Sequence, residues 1–240
     1  MPPFYDDDDL TPLEMAELGL GAGQGRMDSV REAISLDEGL RRLRLLAQDR
    51  TPLQEIARRL GIPTHGATGK VSKGWMGLTV EAAVGQRPNS RKGMDFGDWE
   101  LKTTSAIRDG DALTNWQIVC VGTLVAKDIM DYHYMESPIR EKIERTVLAV
   151  ISRGPNIRDD AFVTGAWQLA IPPEISAAIR RDYTAIRNAI LEGNGQTDHL
   201  RAGLGTFLQV RPKSNAGTRR KGLYLLPRAY LPSIPSGISG

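Results

Sequence analysis

Along Gly93-Met-Asp-Phe-Gly-Asp-Trp-Glu-Leu-Lys-Thr-Thr104, charges are set into a stretch that otherwise reads as buried strand. Side chains alternate faces along a strand, so an extended Trp99–Thr103 aims Glu100 and Lys102 one way and Leu101 the other. The spacing predicts two short strands around Gly97-Asp98, with Asp95 folding back beside Glu100. Two carboxylates and an ammonium then meet at one strand edge. Burying such a group is expensive unless its members compensate one another or serve a function. The plainer reading is a surface strand carrying an ordinary Glu/Lys pair.

The functional reading is metal-assisted phosphodiester hydrolysis. Carboxylate oxygens suit a hard divalent cation, and Mg²⁺ takes few protein ligands with several waters. A nearby lysine offsets negative charge that develops on the phosphate. Asp95-Phe96-Gly97 also spells a kinase metal tripeptide, but H-R-D, V-A-I-K and A-P-E segments are missing, so that match is accidental.

The rest of the chain reads as one domain with a peripheral extension. At 240 residues, 40% hydrophobic and 25% charged, it has the composition of a globular protein. No apolar run is long enough to span a membrane. Asp6 to Asp9 make the N-terminus acidic, unlike a secretory or mitochondrial leader. The single cysteine, Cys120, excludes an internal disulfide framework and a cysteine zinc site, so a reducing cytoplasm is the expected compartment. Residues 1–34 form an acidic and glycine-rich extension; its glycines follow no apolar strand and match no phosphate-loop pattern.

From residue 35 to 236 the pattern mixes helices and strands, which predicts an α/β or α+β layered fold. Ser35 with Glu38 marks a helix start, and Thr51-Pro52 starts a second helix that Gly61 ends. Lys73 to Val84 reads as a helix and Trp116 to Val125 as a central strand. Ser137-Pro138 caps a helix predicted to run to about Ile151. Phe162 to Ile171 reads as strand and Glu174 to Leu191 as helix. Thr206 to Val210 and Gly222 to Leu226 form a strand pair joined by a basic loop. Thr51 to Ile62 also resembles the first half of a helix-turn-helix, which leaves a non-enzymatic DNA-binding regulator as a different-class reading. From His199 onward there are seven basic residues and no acidic one, on a body that is otherwise net acidic. That arm, about 199–236, is either a polyanion contact or a solvated basic surface.

Lys73-Gly-Trp-Met-Gly-Leu-Thr-Val-Glu81, then Gly85, then Asp95…Glu100-Leu-Lys102-Thr103, resembles the MutH mismatch-repair endonucleases and the related restriction enzymes that cleave at GATC. These belong to the PD-(D/E)xK nuclease superfamily. Thr51–Ile62, Gln117–Val121, Ser137–Lys142, Leu208–Lys213 and Leu226–Leu231 match further segments in the same order. The resemblance implies a restriction-endonuclease-like fold, with a mixed central sheet flanked by helices and two lobes around a DNA cleft. It implies that Asp95 and Glu100 hold Mg²⁺, with Leu101 counted in the metal site, and that Lys102 is the catalytic lysine. Glu81 would assist the metal or the water, and Lys142 would approach the scissile phosphate.

Base readout would come from Arg211 and Lys213 around the rigid Pro212, with Gln209 beside them and Tyr230 near the base whose methylation is sensed. Lys73, Arg219, Arg220, Lys221 and Arg228 would complete the DNA surface, the basic cluster as phosphate contacts. Met94 stands where the superfamily has proline, and the Asp95-to-Glu100 interval is shorter than in MutH, like that of the monomeric MvaI/BcnI-type enzymes. Those departures favour a type II restriction endonuclease acting on double-stranded DNA. The alternative is a strand-nicking repair enzyme stimulated by a mismatch-repair ATPase.

Overall fold

The computed structural model describes residues 34–65, 71–72, 74–85, 94–110, 112–154, 160–201, 203–213 and 221–235. The extension before residue 34, and Lys73, Arg219 and Arg220, lie outside the described residues. Among those described, no helix is long and apolar enough to cross a membrane.

Three helices come first: α1 (Leu36–Asp49), α2 (Leu53–Arg59) and α3 (Trp75–Val84). Ser35 caps α1, its hydroxyl accepting from the Glu38 amide at 3.3 Å. The Glu38 carboxylate turns instead to Arg41 and Arg42, at 2.8 and 2.6 Å, and their hydrogen bonds lower its pKa to about 2. After α2, no described residue is helical until Trp75, and five of α3's ten residues are buried, so the helix-turn-helix expectation finds no exposed recognition helix.

A four-stranded mixed sheet follows, built from β1 (Glu100–Asp109), β2 (Ala112–Thr114), β4 (Thr146–Arg153) and β5 (Phe162–Gln168) in the order β2-β1-β4-β5. β1 and β4 are parallel; the outer pairings are antiparallel. Between β2 and β4 come β3 (Val119–Thr123), α4 (Ala126–Asp131) and α5 (Pro138–Glu144). After β5 the chain forms α6 (Pro173–Glu192), then β6 (Leu208–Pro212), β7 (Lys221–Leu225) and the short α7 (Pro227–Tyr230). β3, β7 and β6 make a separate antiparallel sheet.

Three expectations change. The helix from Ser137 stops at Glu144, and Thr146–Arg153 is the inner strand β4. Thr-Val-Leu-Ala-Val-Ile is a continuous apolar run, which hydrophobic periodicity cannot divide between buried helix and buried strand. Trp116–Val125 yields only β3, at the edge of the smaller sheet. Among the described residues 94–99 that lead into β1 there is no second strand but a turn over Asp95–Asp98, closed by a Phe96 N–H bond to the Trp99 carbonyl and a positive φ at Gly97.

β4 is buried on both faces. Val147, Ala149 and Ile151 join a core with α1, α2, α3, Phe96, Trp99 and Leu101. Leu148 and Val150 join a second core with α5, α6 and the three-stranded sheet. The mixed sheet is therefore flanked by helices on one side and covered by helix and sheet on the other.

Trp99 locks the turn against the first core. Its ring stacks on Phe96 at 4.0 Å, its indole N–H donates to the Ile34 carbonyl at 2.8 Å, and Gly39 of α1 lies against its edge. A methyl group on Gly39 would sit 2.3 Å from Trp99 Cζ2. Gly39→Ala should therefore destabilise the protein by about 1–3 kcal/mol, overriding a helix-propensity gain of about 1 kcal/mol. Urea unfolding of the two proteins reads the sign directly.

Candidate active site

The parallel register places Glu100 opposite Thr146, so the first residue of β1 meets the end of α5. The Glu100 amide donates to the Arg145 carbonyl at 3.0 Å, and the Thr146 hydroxyl donates to the Lys142 carbonyl at 2.6 Å. Those bonds bring Lys142, in the last turn of α5, to the start of β1. Ser137 fixes the other end of that helix, its hydroxyl accepting from the Arg140 amide.

Glu100 is almost fully buried, its side chain 3% exposed, and it is compensated on both oxygens. Oε1 accepts from Lys102 Nζ at 2.5 Å and from Lys142 Nζ at 3.4 Å; Oε2 accepts from the Asp95 amide at 3.2 Å. Lys102 also stands 3.5 Å from Asp95 Oδ2, an ionic contact at the limit of hydrogen bonding. The structure thus brings Asp95, Glu100, Lys102 and Lys142 together. Leu101 points its side chain into the first core at 1% exposure, so its only oxygen available to a cation is the main-chain carbonyl.

Glu81 on α3 belongs to the same electrostatic unit. Burial, then the Asp95 carboxylate, push its pKa up to about 7 against the pull of Lys102, with Glu100 adding to the rise. Burial also raises Asp95, opposed by Lys102 and reinforced by Glu100. Lys102 is pulled down by burial but raised overall by Glu100 and Asp95, so it stays an ammonium. A half-buried Glu81 that holds its proton to about pH 7, beside an Asp95 also raised, is a set that a cation would relieve. Among the described residues no three acidic, His or Cys groups form a closed metal cage. Two carboxylates completed by water is the arrangement Mg²⁺ accepts, and the donor chemistry fits.

The basic arm is only partly as expected. Arg211 and Lys213 flank an exposed Pro212 at the end of β6; Arg211 bonds Gln209, and Lys213 donates to the Thr123 hydroxyl at 2.7 Å. Arg228 donates to the Thr206 carbonyl at 2.7 Å and lies over the Phe207 ring. Two residues are corrected. Tyr230 is fully buried, its hydroxyl donating to the Gln117 carbonyl and meeting Thr104 Oγ1 at 2.9 Å, so it braces β1 and faces no base. Lys221 donates to the carbonyls of Thr197, Asp198 and Leu200, so its ammonium closes a loop where a phosphate contact was expected. Gln209 is nearly buried and bonds within the arm. The sequence reading missed Tyr224, paired across from Gln209 on the outer face of the small sheet. Its signal was strand alternation, since Leu223 and Leu225 on either side are fully buried.

A mixed sheet whose inner strand begins with a carboxylate and a lysine, with a second carboxylate in the turn before it and a third on the helix above, defines the class: an endonuclease of the PD-(D/E)xK type. No family model matches the chain. The DNA mismatch repair protein MutH of Shewanella amazonensis is 34% identical over 185 residues, 75% of this chain and 78% of the relative. That of Klebsiella pneumoniae is 29% identical over 201 residues, covering 78% and 84%. That of Escherichia coli K12 is 28% identical over 189 residues, covering 74% and 80%. The chain belongs to the MutH family.

Two outcomes follow. The folded protein holds the Glu81 proton up to about pH 7, while the unfolded chain releases it near 4.5. Ionised Glu81 thus penalises folding from above pH 4.5, fully above pH 7, and not at all below 4.5. In EDTA, Glu81→Gln should stabilise the protein by roughly 1–2 kcal/mol at pH 8, after discounting for solvent screening, with the gain shrinking toward pH 5. Urea titrations at both pH values check it. Lys221→Ala should cost about 1–3 kcal/mol of stability by stranding loop carbonyls, while leaving the salt dependence of DNA binding unchanged. A fall of about one in the salt slope would restore Lys221 as a phosphate contact.

Proposed function

We propose that the chain is a Mg²⁺-dependent endonuclease that nicks one strand of double-stranded DNA during mismatch repair. The observation that carries this is the joining of Asp95, Glu100 and Lys102 at one sheet edge in a chain whose relatives are named DNA mismatch repair protein MutH. Asp95 and Glu100 would hold the metal, which supplies Lewis-acid polarisation of the phosphodiester. Lys102 orients the attacking water and offsets charge on the phosphate as the bond to the leaving oxygen breaks. Glu81, with its pKa near neutrality, is suited to accept the proton that this water loses. Lys142 holds the outer oxygen of Glu100 and faces the position of the scissile phosphate.

Arg211 and Lys213 carry base readout, and the half-buried Tyr224 takes the aromatic position that buried Tyr230 leaves. One cluster of this kind among the described residues supports cutting one strand at a time. A mismatch-repair ATPase is the expected activator. The shortened Asp95-to-Glu100 interval remains the observation on the side of restriction.

Incubation of supercoiled plasmid with Mg²⁺ separates the two. Nicked circles should accumulate; linear DNA as the first product would favour a restriction enzyme. Glu100→Ala and Lys102→Ala should each lower the nicking rate by several powers of ten while keeping the wild-type fold by circular dichroism. Near wild-type nicking by Glu100→Ala would remove it from the metal site.

A further inference from the structure

Gln209 stands on β6, 7% exposed, with both ends of its amide engaged. Nε2 donates to the Gly205 carbonyl at 2.9 Å. Oε1 accepts from Arg211 Nε at 3.2 Å and from Arg211 Nη2 at 3.0 Å. The partners dictate the amide's orientation, since only its oxygen accepts from guanidinium N–H groups and only its nitrogen donates to a carbonyl. The Gly205 carbonyl is itself anchored. Asp182 of α6, only 8% exposed, accepts from the Phe207 and Leu208 amides at 2.6 and 2.9 Å. Gly205 has φ +98°, and a Cβ there would lie 2.0 Å from the Leu208 carbonyl, so this turn holds one conformation that only glycine adopts. A rigid path runs from α6 through residues 205–208 and Gln209 to the Arg211 guanidinium.

A guanidinium carries five N–H groups in a fixed plane. The edge shared by Nε and Nη2 faces Gln209. The remaining three N–H groups lie on Nη1 and the outer side of Nη2, and this end-on fork is suited to guanine O6 and N7. Arg211 is partly exposed on the same outer face as Tyr224, with Gly222 opposite it in the register, where the Tyr224 ring and the Lys213 stem close over the glycine.

We propose that Gln209 is a positioning residue for sequence recognition. It acts through Arg211 and makes no base contact of its own, holding the guanidinium in its reading rotamer before DNA arrives. This rests on the reading of Arg211 as a base contact. A preset side chain loses less freedom on binding, which corresponds to roughly a three- to tenfold gain in affinity at the recognition site and none at random sequence.

The test uses the full chain with Ca²⁺ in place of Mg²⁺. One probe is a duplex centred on the chain's own nicking site, mapped by sequencing the ends of nicked plasmid; the other is that duplex with the site scrambled. Gln209→Met keeps the side chain's length without its acceptor. It should lower the ratio of site to scrambled affinity by roughly three- to tenfold. Gln209→Glu keeps the acceptor for Arg211 but loses the donor to the Gly205 carbonyl, so it should restore part of the ratio lost in Gln209→Met, even if added charge weakens both duplexes alike. In an Arg211→Ala background, Gln209→Met should change nothing further, because the two act as one unit. An unchanged ratio in Gln209→Met, failure of Gln209→Glu to restore any of it, or an undiminished Gln209→Met effect on Arg211→Ala overturns the proposal. If Arg211→Ala weakens both duplexes equally, the reading of Arg211 falls first and this one with it. If Arg211→Ala is selective and Gln209→Met is silent, only the role of Gln209 falls.

Discussion

The parallel pairing of β1 with β4 decides where everything else goes. β4 buries alternate residues in two different cores, so neither side of the molecule can shift against the other without opening a sealed apolar interface. With β4 held, the register from Glu100↔Thr146 to Ile107↔Arg153 is fixed, because a slip of one residue would turn every β1 side chain to the opposite face. Leu101 then packs beneath the N-terminal helices while Glu100 and Lys102 emerge where α5 ends. The short connection from α5 into β4 carries Lys142 to the same place.

A nearly buried carboxylate is tolerated at that junction because three donors meet it. Removing either lysine would leave charge in a poorly solvated position, which costs more than the pair gains. Burial first, and neighbouring carboxylates after it, keep Glu81 and Asp95 reluctant to ionise, while Glu100 and Asp95 keep Lys102 protonated against its burial. The site is therefore balanced internally, with Lys102 shared among Glu100, Asp95 and Glu81 and Lys142 on Glu100. Aromatic packing supplies its rigidity: Phe96 and Trp99 bracket the turn, and Ile34 and Gly39 hold Trp99 in place.

The residues proposed to read DNA stand on the other core. The inner faces of β3, β6 and β7 are apolar and fully buried, and their outer faces carry Arg211, Tyr224 and Gln209. Tyr230 joins this half to the catalytic strand, since its hydroxyl meets Thr104 and the Gln117 carbonyl together. Contacts to β1 on one side and to the arm on the other make a single body of the residues proposed to cut and those proposed to read.

Much of this was legible from residue order alone. Strand alternation put Glu100 and Lys102 on one side of Leu101, the cap at Ser35 and the prolines at 52 and 138 marked helix starts, and the motifs in series carried the family resemblance. These are local signals, fixed by backbone sterics and by the period of each element. What local signals left undecided was long-range. The run after Arg145 is equally apolar as helix or strand, and only pairing with β1 makes it β4. Tyr230 and Lys221 have the composition of a DNA-binding arm, yet one is fully buried and the other is spent on three carbonyls. Residue type shows what a side chain is able to do; whether it faces water, core or backbone depends on partners distant in sequence, and those are set only when the two cores close on β4.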